Sequence, residues 1–505
     1  MNPLLITLLI PIFGAVLLQL LPNDKPKLIN KVAFIFSIAA FLSSLALLIG
    51  FNTTTEHYQF YAYYPWISDL NAGFRVGIDG LSLMLVLLTT FIIPLAIWIS
   101  SDSIKVNMRQ YYSLILLLEF AIIGVFISLD LLVFYIFWEL ILIPMYFIIG
   151  IWGGKNKIYA TVKFFIYTMV GSLVMIIGII WLGHYIGTFV IHNSVGFTTS
   201  LPEIQKYASQ LPIKLQNILF WMFAISFLIK VPIFPLHTWL PDAHTEAPTA
   251  GSVILAGVLL KMGAYGLIRF NIGIFPAASL TFAPLLVTLG VVGIIYGGLL
   301  AWMQKDMKRL VAYSSVAHMG FIIIGIFSFT VIGMQGAIIQ MVNHGLTTGM
   351  LFIAVGFLYD QRHTRLTEDY GGIARIVPKF TVFFGLAVFA SIGLPGLNGF
   401  VGEFMSLYGT FSSTVLNNHT YAIVASSGVI IAAVYLLIMY KKAFFGKIEK
   451  PENNILKDIN LKYGIIFIVI TFFMFWIGIF PTHFLKFSEA TANKYINHIE
   501  LIIDK

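Results

Sequence analysis

The run Lys230-Val-Pro232-Ile-Phe-Pro235-Leu-His237 closes an apolar stretch that begins near residue 217. Proline has no amide hydrogen to donate, and its ring crowds the turn before it, so a helix entering through this stretch breaks here. A second break is written in Gly393-Leu-Pro395-Gly396-Leu-Asn398-Gly399, inside an apolar segment over 378–412. Opened backbone at membrane depth is tolerated only where it meets protein or a water-lined cavity. Proline and glycine are common in membrane helices, and one break is easily explained that way. Two breaks at matching positions of two five-helix units instead follow the pattern of inverted repeats around a transport pathway.

The rest of the chain reads as membrane protein. Of 505 residues, 59% are hydrophobic and only 10% are charged, and mean hydropathy is +0.91. A soluble domain carries about 25% charged residues, so this chain cannot cover a water-facing surface. About 20 apolar residues span a bilayer. About fourteen candidate spans are found, near 3–21, 30–50, 82–100, 112–128, 130–150, 160–188, 217–235, 250–270, 281–302, 309–328, 331–358, 378–412 (interrupted), 420–440 and 462–481. The expected fold is therefore an all-α polytopic membrane protein. It has two inverted five-helix repeats, spans 4–8 and 9–13, each with a broken helix. The expected organisation is a single membrane domain over 1–505. Within it, 1–110 holds the first three spans, 111–275 the first repeat, 280–445 the second, and 460–505 the last span and a tail. Met1 to Leu21 lacks the basic start and small-residue cleavage site of a signal peptide and reads as the first span.

Charge placement sets the expected orientation. Of 30 Lys and Arg, 20 fall in the segments 25–31, 105–109, 155–157, 305–309, 362–379 and 441–462, one alternate set of connections. Seven fall on the other side, Arg269 among them, and Lys163, Lys230 and Lys261 lie inside spans. The Lys-rich side is then cytoplasmic and both termini periplasmic, in a bacterial inner membrane. The Tyr-rich loop from Tyr58 to Trp66 on the outer side suits an interfacial aromatic belt. A net charge of +8 follows from this bias and does not imply nucleic acid. With no cysteine, the chain has no disulfide, no thiolate-held zinc and no Cys-ligated iron–sulfur cluster. No nucleotide-binding glycine motif is found.

Ionisable residues inside a bilayer are costly and by default mark a functional path. Glu139, Lys230, Lys261, His318, His344 and Glu403 all fall near mid-span by residue count. Each has a plainer reading. Glu139 and Lys230 could neutralise each other, and a lone histidine is more often a satisfied core residue. Six such groups at one depth fit proton transfer better. Burial lowers a lysine's proton affinity and a nearby carboxylate raises it. At an effective dielectric of about 20, unit charges ~6 Å apart interact by about 3 kcal/mol, which is roughly two pKa units. An ion pair that opens and closes can thus switch a neighbour's protonation, and histidine relays protons near neutral pH. Lys163, closer to the cytoplasmic end and able to snorkel, is a weaker candidate, as are His237 and Asp242.

The stretch from Lys230 through His237-Thr-Trp-Leu-Pro-Asp242-Ala-His244-Thr-Glu-Ala-Pro-Thr-Ala-Gly-Ser252 resembles the signature of the proton-translocating NADH–quinone oxidoreductase membrane subunits. So do Ala256-Gly-Val-Leu-Leu-Lys261-Met-Gly263, Arg309-Leu-Val-Ala-Tyr-Ser-Ser-Val-Ala-His318-Met-Gly320 and Phe137-Trp-Glu139-Leu. The resemblance covers nearly the whole chain and is closest to the antiporter-like M-type branch. The chain stops soon after the last span, and Glu403 stands where the L- and N-type branches have lysine. The resemblance implies an ion pair of Glu139 with Lys230, a central relay at Lys261, continuation through His318 and His344, and an outlet side at Glu403. None of these six positions departs from the family pattern. It also implies that FMN, iron–sulfur clusters and quinone belong to other subunits, with no cofactor or metal and no redox chemistry here. The implied partners are L- and N-type antiporter-like subunits and lipid. A Mrp-type cation/proton antiporter subunit, a D-type subunit of a photosynthetic complex and a purely structural spacer are the alternatives.

Overall fold

The computed structural model describes residues 2–448 and 450–503. Helices α1 (Pro3–Leu20) and α2 (Pro26–Gly50) lead to a two-stranded antiparallel hairpin, β1 (Gln59–Ile67) and β2 (Ala72–Ile78). Then follow α3 (Gly80–Ser103), α4 (Met108–Ile127), α5 (Leu131–Leu140), α6 (Leu142–Trp152) and α7 (Lys157–Tyr185). Short α8 (Leu201–Tyr207) precedes α9 (Ile213–Lys230), α10 (Trp239–Glu246), α11 (Thr249–Ile254) and α12 (Leu260–Gly266). The chain continues with α13 (Pro276–Trp302), α14 (Met307–Ile326), α15 (Val331–Arg362), α16 (Pro378–Ile392) and α17 (Asn398–Phe411). It ends with α18 (Thr420–Phe444), α19 (Leu461–Ile479) and α20 (Thr482–Ile503).

Among the described residues, thirteen helical segments are long and apolar enough to cross a membrane, with Leu131–Trp152 and Thr249–Ile272 each taken as one. They match the expected spans except the twelfth. There the second break divides the segment into α16 and α17, each too short to cross alone. Both breaks fall where the prolines put them. Residues 231–238 separate α9 from α10, and 393–397 separate α16 from α17.

Four features differ from the sequence reading. The Tyr58–Trp66 segment is not a loop: Gln59–Ile67 is a strand, so the fold is not wholly helical. The tail is a helix, α20, packed on α3, α13 and α15. The fifth span is interrupted at Ile141, because Pro144 offers no amide to the Leu140 carbonyl one turn earlier. The eighth span is continuous but passes through two π-helical stretches, Leu255–Leu259 and Leu267–Ile272.

Burial sorts the helices. The most apolar windows of α2 and α19 are mostly not buried within the chain, whereas those of Thr249–Ile272 and α15 are enclosed by protein. The two enclosed helices carry Lys261 and His344. Close approach at the centre depends on small residues. A Cβ at Gly263 would stand 2.5 Å from the Phe227 carbonyl of α9, and one at Gly402 would stand 2.3 Å from Gln340 Oε1 of α15. Carboxylates or hydroxyls close the helix starts, with Asp79 capping α3, Asp130 α5, Asp306 α14 and Thr330 α15.

Candidate functional site

Lys261 is fully buried. Its ammonium donates to the Ala256 carbonyl and lies 2.6 Å from His344 Nδ1. The first contact has a local cause. The π-helical turn over Leu255–Leu259 shifts the backbone bonding by one residue, and the ammonium reaches the carbonyl five residues back. Such turns interrupt α-helices frequently at functional sites. The second contact crosses from the eighth span to α15.

His344 leads to His318, whose ring centroid is 5.6 Å away. His318 Nδ1 lies 2.7 Å from Glu403 Oε1, and its Nε2 lies 3.1 Å from Ser391 Oγ. A neutral His318 satisfies both contacts if Nδ1–H donates to the carboxylate and Nε2 accepts the Ser391 hydroxyl. Gln340 Nε2 also donates to Glu403 Oε1, at 3.1 Å. A cavity of about 10 Å³ lies among His318, His344, Gln340, Asn343, Ser391 and Glu403, close to the least volume that admits one water. The second break is tied to α15: Asn343 Nδ2 donates to the Asn398 carbonyl at 2.7 Å, and Thr347 Oγ1 to Asn398 Oδ1 at 3.2 Å. Pro395, within the break, thus places α17 so that Glu403 faces α14 and α15.

The other half is arranged differently. Lys230 is the last residue of α9, 1% exposed, and its Nζ has no hydrogen-bond partner. It sits over the rings of Trp138 (5.3 Å) and Phe164 (5.6 Å), an arrangement favourable to a cation. Glu139 is partly buried on α5, and its Oε1 is likewise without a partner. The expected Glu139–Lys230 ion pair is therefore not formed: Trp138, adjacent to Glu139 in sequence, supplies the ring that Lys230 faces. Pro232 and Pro235 lie in the break between α9 and α10, where Trp239 Nε1 caps the freed Ile229 carbonyl at 2.9 Å. His237 is buried against the Phe234 and Tyr296 rings, with Nδ1 unpartnered. Lys163 and Asp242 meet at 2.7 Å, joining α7 to α10, and Arg309 approaches the same carboxylate at 3.8 Å.

Three buried groups escaped the sequence reading. His244 on α10 has no exposure, stacks on Phe352 at 4.6 Å and leaves both ring nitrogens unpartnered. Its signal was present, since His244 lies within the motif that carried the resemblance. Lys308, 8% exposed, donates to the Ala247 carbonyl and lines a 390 Å³ cavity on the Lys-rich side with Asp102, Glu246, Asp360, His363 and Arg365. Glu119 on α4 is fully buried with both carboxyl oxygens unpartnered. It stands in an apolar span as plainly as Glu139 does. Among the described residues, no cluster of three or more His, Asp or Glu is arranged to hold a metal ion.

A second buried cluster is fully satisfied. Arg269, counted with a loop in the sequence reading, lies inside the second π-helical stretch with no exposure. Its guanidinium donates to both Asp79 oxygens at 2.6 Å, to Tyr58 OH at 3.1 Å, to Tyr495 OH at 2.9 Å and to Ser82 Oγ at 3.0 Å. This clasp joins the start of α3, the segment before β1, the eighth span and α20.

A multi-pass membrane chain with two broken helices and a buried line of Lys, His and Glu between them defines an antiporter-like class. Residues 128–427 match the family described as NADH:quinone oxidoreductase/Mrp antiporter, TM, and the chain belongs to that family. Among curated relatives, NADH-quinone oxidoreductase subunit M of Rickettsia conorii is 42% identical over 472 residues, 93% of each chain. NADH-ubiquinone oxidoreductase chain 4 of Chondrus crispus is 40% identical over 98% of this chain and 99% of its own. A chain of respiratory complex I from Thermus thermophilus superposes with a TM-score of 0.87 at 28% identity, over 98% of this chain and 99% of that one. A chain of the Mrp complex from Dietzia shares the fold, with a TM-score of 0.84 at 17% identity over 99% of both chains.

Proposed function

We propose that this chain is the M-type proton-translocating subunit of an NADH–quinone oxidoreductase, and that it carries out no redox step itself. The contact sequence Lys261–His344–His318–Glu403 carries this reading. Lys261 Nζ, when charged, donates its proton to His344 Nδ1. Neutral His344 carries its own proton on Nε2, which has no protein partner. Losing that proton while gaining one at Nδ1 moves a net charge across the ring. A water in the small cavity would pass it to His318, which Glu403 holds in orientation.

On this reading the 390 Å³ cavity is the cytoplasmic intake, with Lys308 and His244 between it and Lys261. Spans 4–8 and 9–13 are inverted repeats of a single membrane domain, and both termini are periplasmic in a bacterial inner membrane. Glu139 and Lys230 act across a gap that closes to form the ion pair during turnover. The companions are the L- and N-type subunits. FMN, iron–sulfur clusters and quinone lie in other chains.

A tagged copy of the full chain, isolated from mild detergent, tests the assignment. Recovery of flavin- and cluster-binding chains together with two further antiporter-like chains is expected. Recovery of cation-antiporter chains without redox partners would reverse the reading in favour of a Mrp-type subunit.

A further inference from the structure

A second large cavity on the Lys-rich side has no part in the pathway above. It encloses 590 Å³ where the C-terminal ends of α13 and α18 meet the start of α14. Three lysines line it, Lys305, Lys441 and Lys442, against one carboxylate, Glu368. None of the three lysines is ion-paired with a described carboxylate. Tyr435, 1% exposed, lines its inner end.

The surroundings identify the occupant. Immediately below the cavity, α13 and α18 present an exposed apolar wall that includes Leu299 (44%), Leu437 (41%) and Ile430 (68%). Trp302 lines the cavity and is 47% exposed, as aromatic anchors at the headgroup level are. The cavity thus opens at the depth where lipid meets the cytoplasmic loops. Basic pockets between membrane helices on that side suit anionic headgroups.

We propose that this cavity holds one anionic phospholipid of the cytoplasmic leaflet. Its phosphate lies among Lys305, Lys441 and Lys442, and its chains run down the apolar wall of α13 and α18. A free phosphate would meet the lysines but leave Trp302 and the apolar wall uncovered. The source is therefore lipid.

The test uses the assembled complex in neutral phosphatidylcholine nanodiscs, with a photoactivatable phosphatidylglycerol as probe. Adducts are expected on the segments 302–310 and 435–446. The triple variant K305Q/K441Q/K442Q should lose at least about tenfold of that labelling, since each lysine near an anionic lipid contributes measurably to binding. The control K25Q/K27Q/K31Q, on the same side, should not. Should the triple variant fail to assemble, competition on the unaltered complex decides: unlabelled phosphatidylglycerol must suppress the adducts and phosphatidylcholine must not. Equal labelling by a phosphatidylcholine probe, unchanged labelling of the triple variant, or loss of labelling to inorganic phosphate alone would overturn the proposal. So would lysine crosslinks showing that a neighbouring subunit fills the cavity.

Discussion

Lys261 Nζ and His344 Nδ1, 83 residues apart in sequence, stand 2.6 Å from each other in the enclosed centre of the molecule. The contact joins the two helices most completely surrounded by protein. The side-chain partner of Lys261 is thus an imidazole nitrogen rather than a carboxylate.

His344 is accordingly expected to be indispensable as a base. In His344→Leu, the complex assembles and proton pumping falls by roughly a hundredfold, the lower range for losing a positioned acid–base group. His344→Gln offers a hydrogen bond but no titration and should fare no better. Pumping by reconstituted vesicles checks this, and near-normal pumping by His344→Gln would show that the contact is structural.

Glu139 and Lys230 give a prediction that the missing ion pair sharpens. Neither side chain loses a partner when the other is neutralised, so Glu139→Gln should assemble to the same level as the unaltered complex on a native gel. Pumping and NADH oxidation by the same membranes should both fall strongly, while Glu139→Asp retains part of each. A Glu139→Gln complex that fails to assemble would mean that the two residues pair for stability after all.

The Arg269 clasp predicts the opposite pattern. Removing one partner of a buried, hydrogen-bonded pair typically costs about 3–5 kcal/mol, because the other charge is left uncompensated. Asp79→Ala should therefore lower the thermal stability or the yield of the complex, while any complex that does assemble pumps at a near-normal rate per molecule. Normal stability with lost pumping would place Arg269 in the proton path instead.

How much of this was legible in the sequence depends on what each feature requires. The two breaks were readable because proline acts locally: Pro232, Pro235 and Pro395 each disrupt bonding within a turn or two. The burial of Lys230, Lys261 and Glu403 was readable because a lysine or glutamate in an apolar span is conspicuous, although Glu119, as plain in its span, was passed over. Which groups touch which was not readable. His318 meets Glu403 across 85 residues and Arg269 meets Asp79 across 190, and no periodicity records such distances. The π-helical turn that turns Ala256 toward Lys261 leaves no mark in an apolar pattern of this length. The hairpin was missed because Tyr-rich sequence fits an interfacial belt and a strand equally well. Pro144 was a local signal that the apolar run around it concealed.

Proton pumping by an assembled Lys261→Ala complex tests the relay most directly, because Lys261 supplies the titratable side chain of the eighth span that meets His344. NADH-driven acidification in reconstituted vesicles should be measured together with oxidation rate, after assembly is verified on a native gel. The relay predicts a complex that assembles, with pumping largely abolished and oxidation slowed. An assembled Lys261→Ala complex that pumps normally would contradict it.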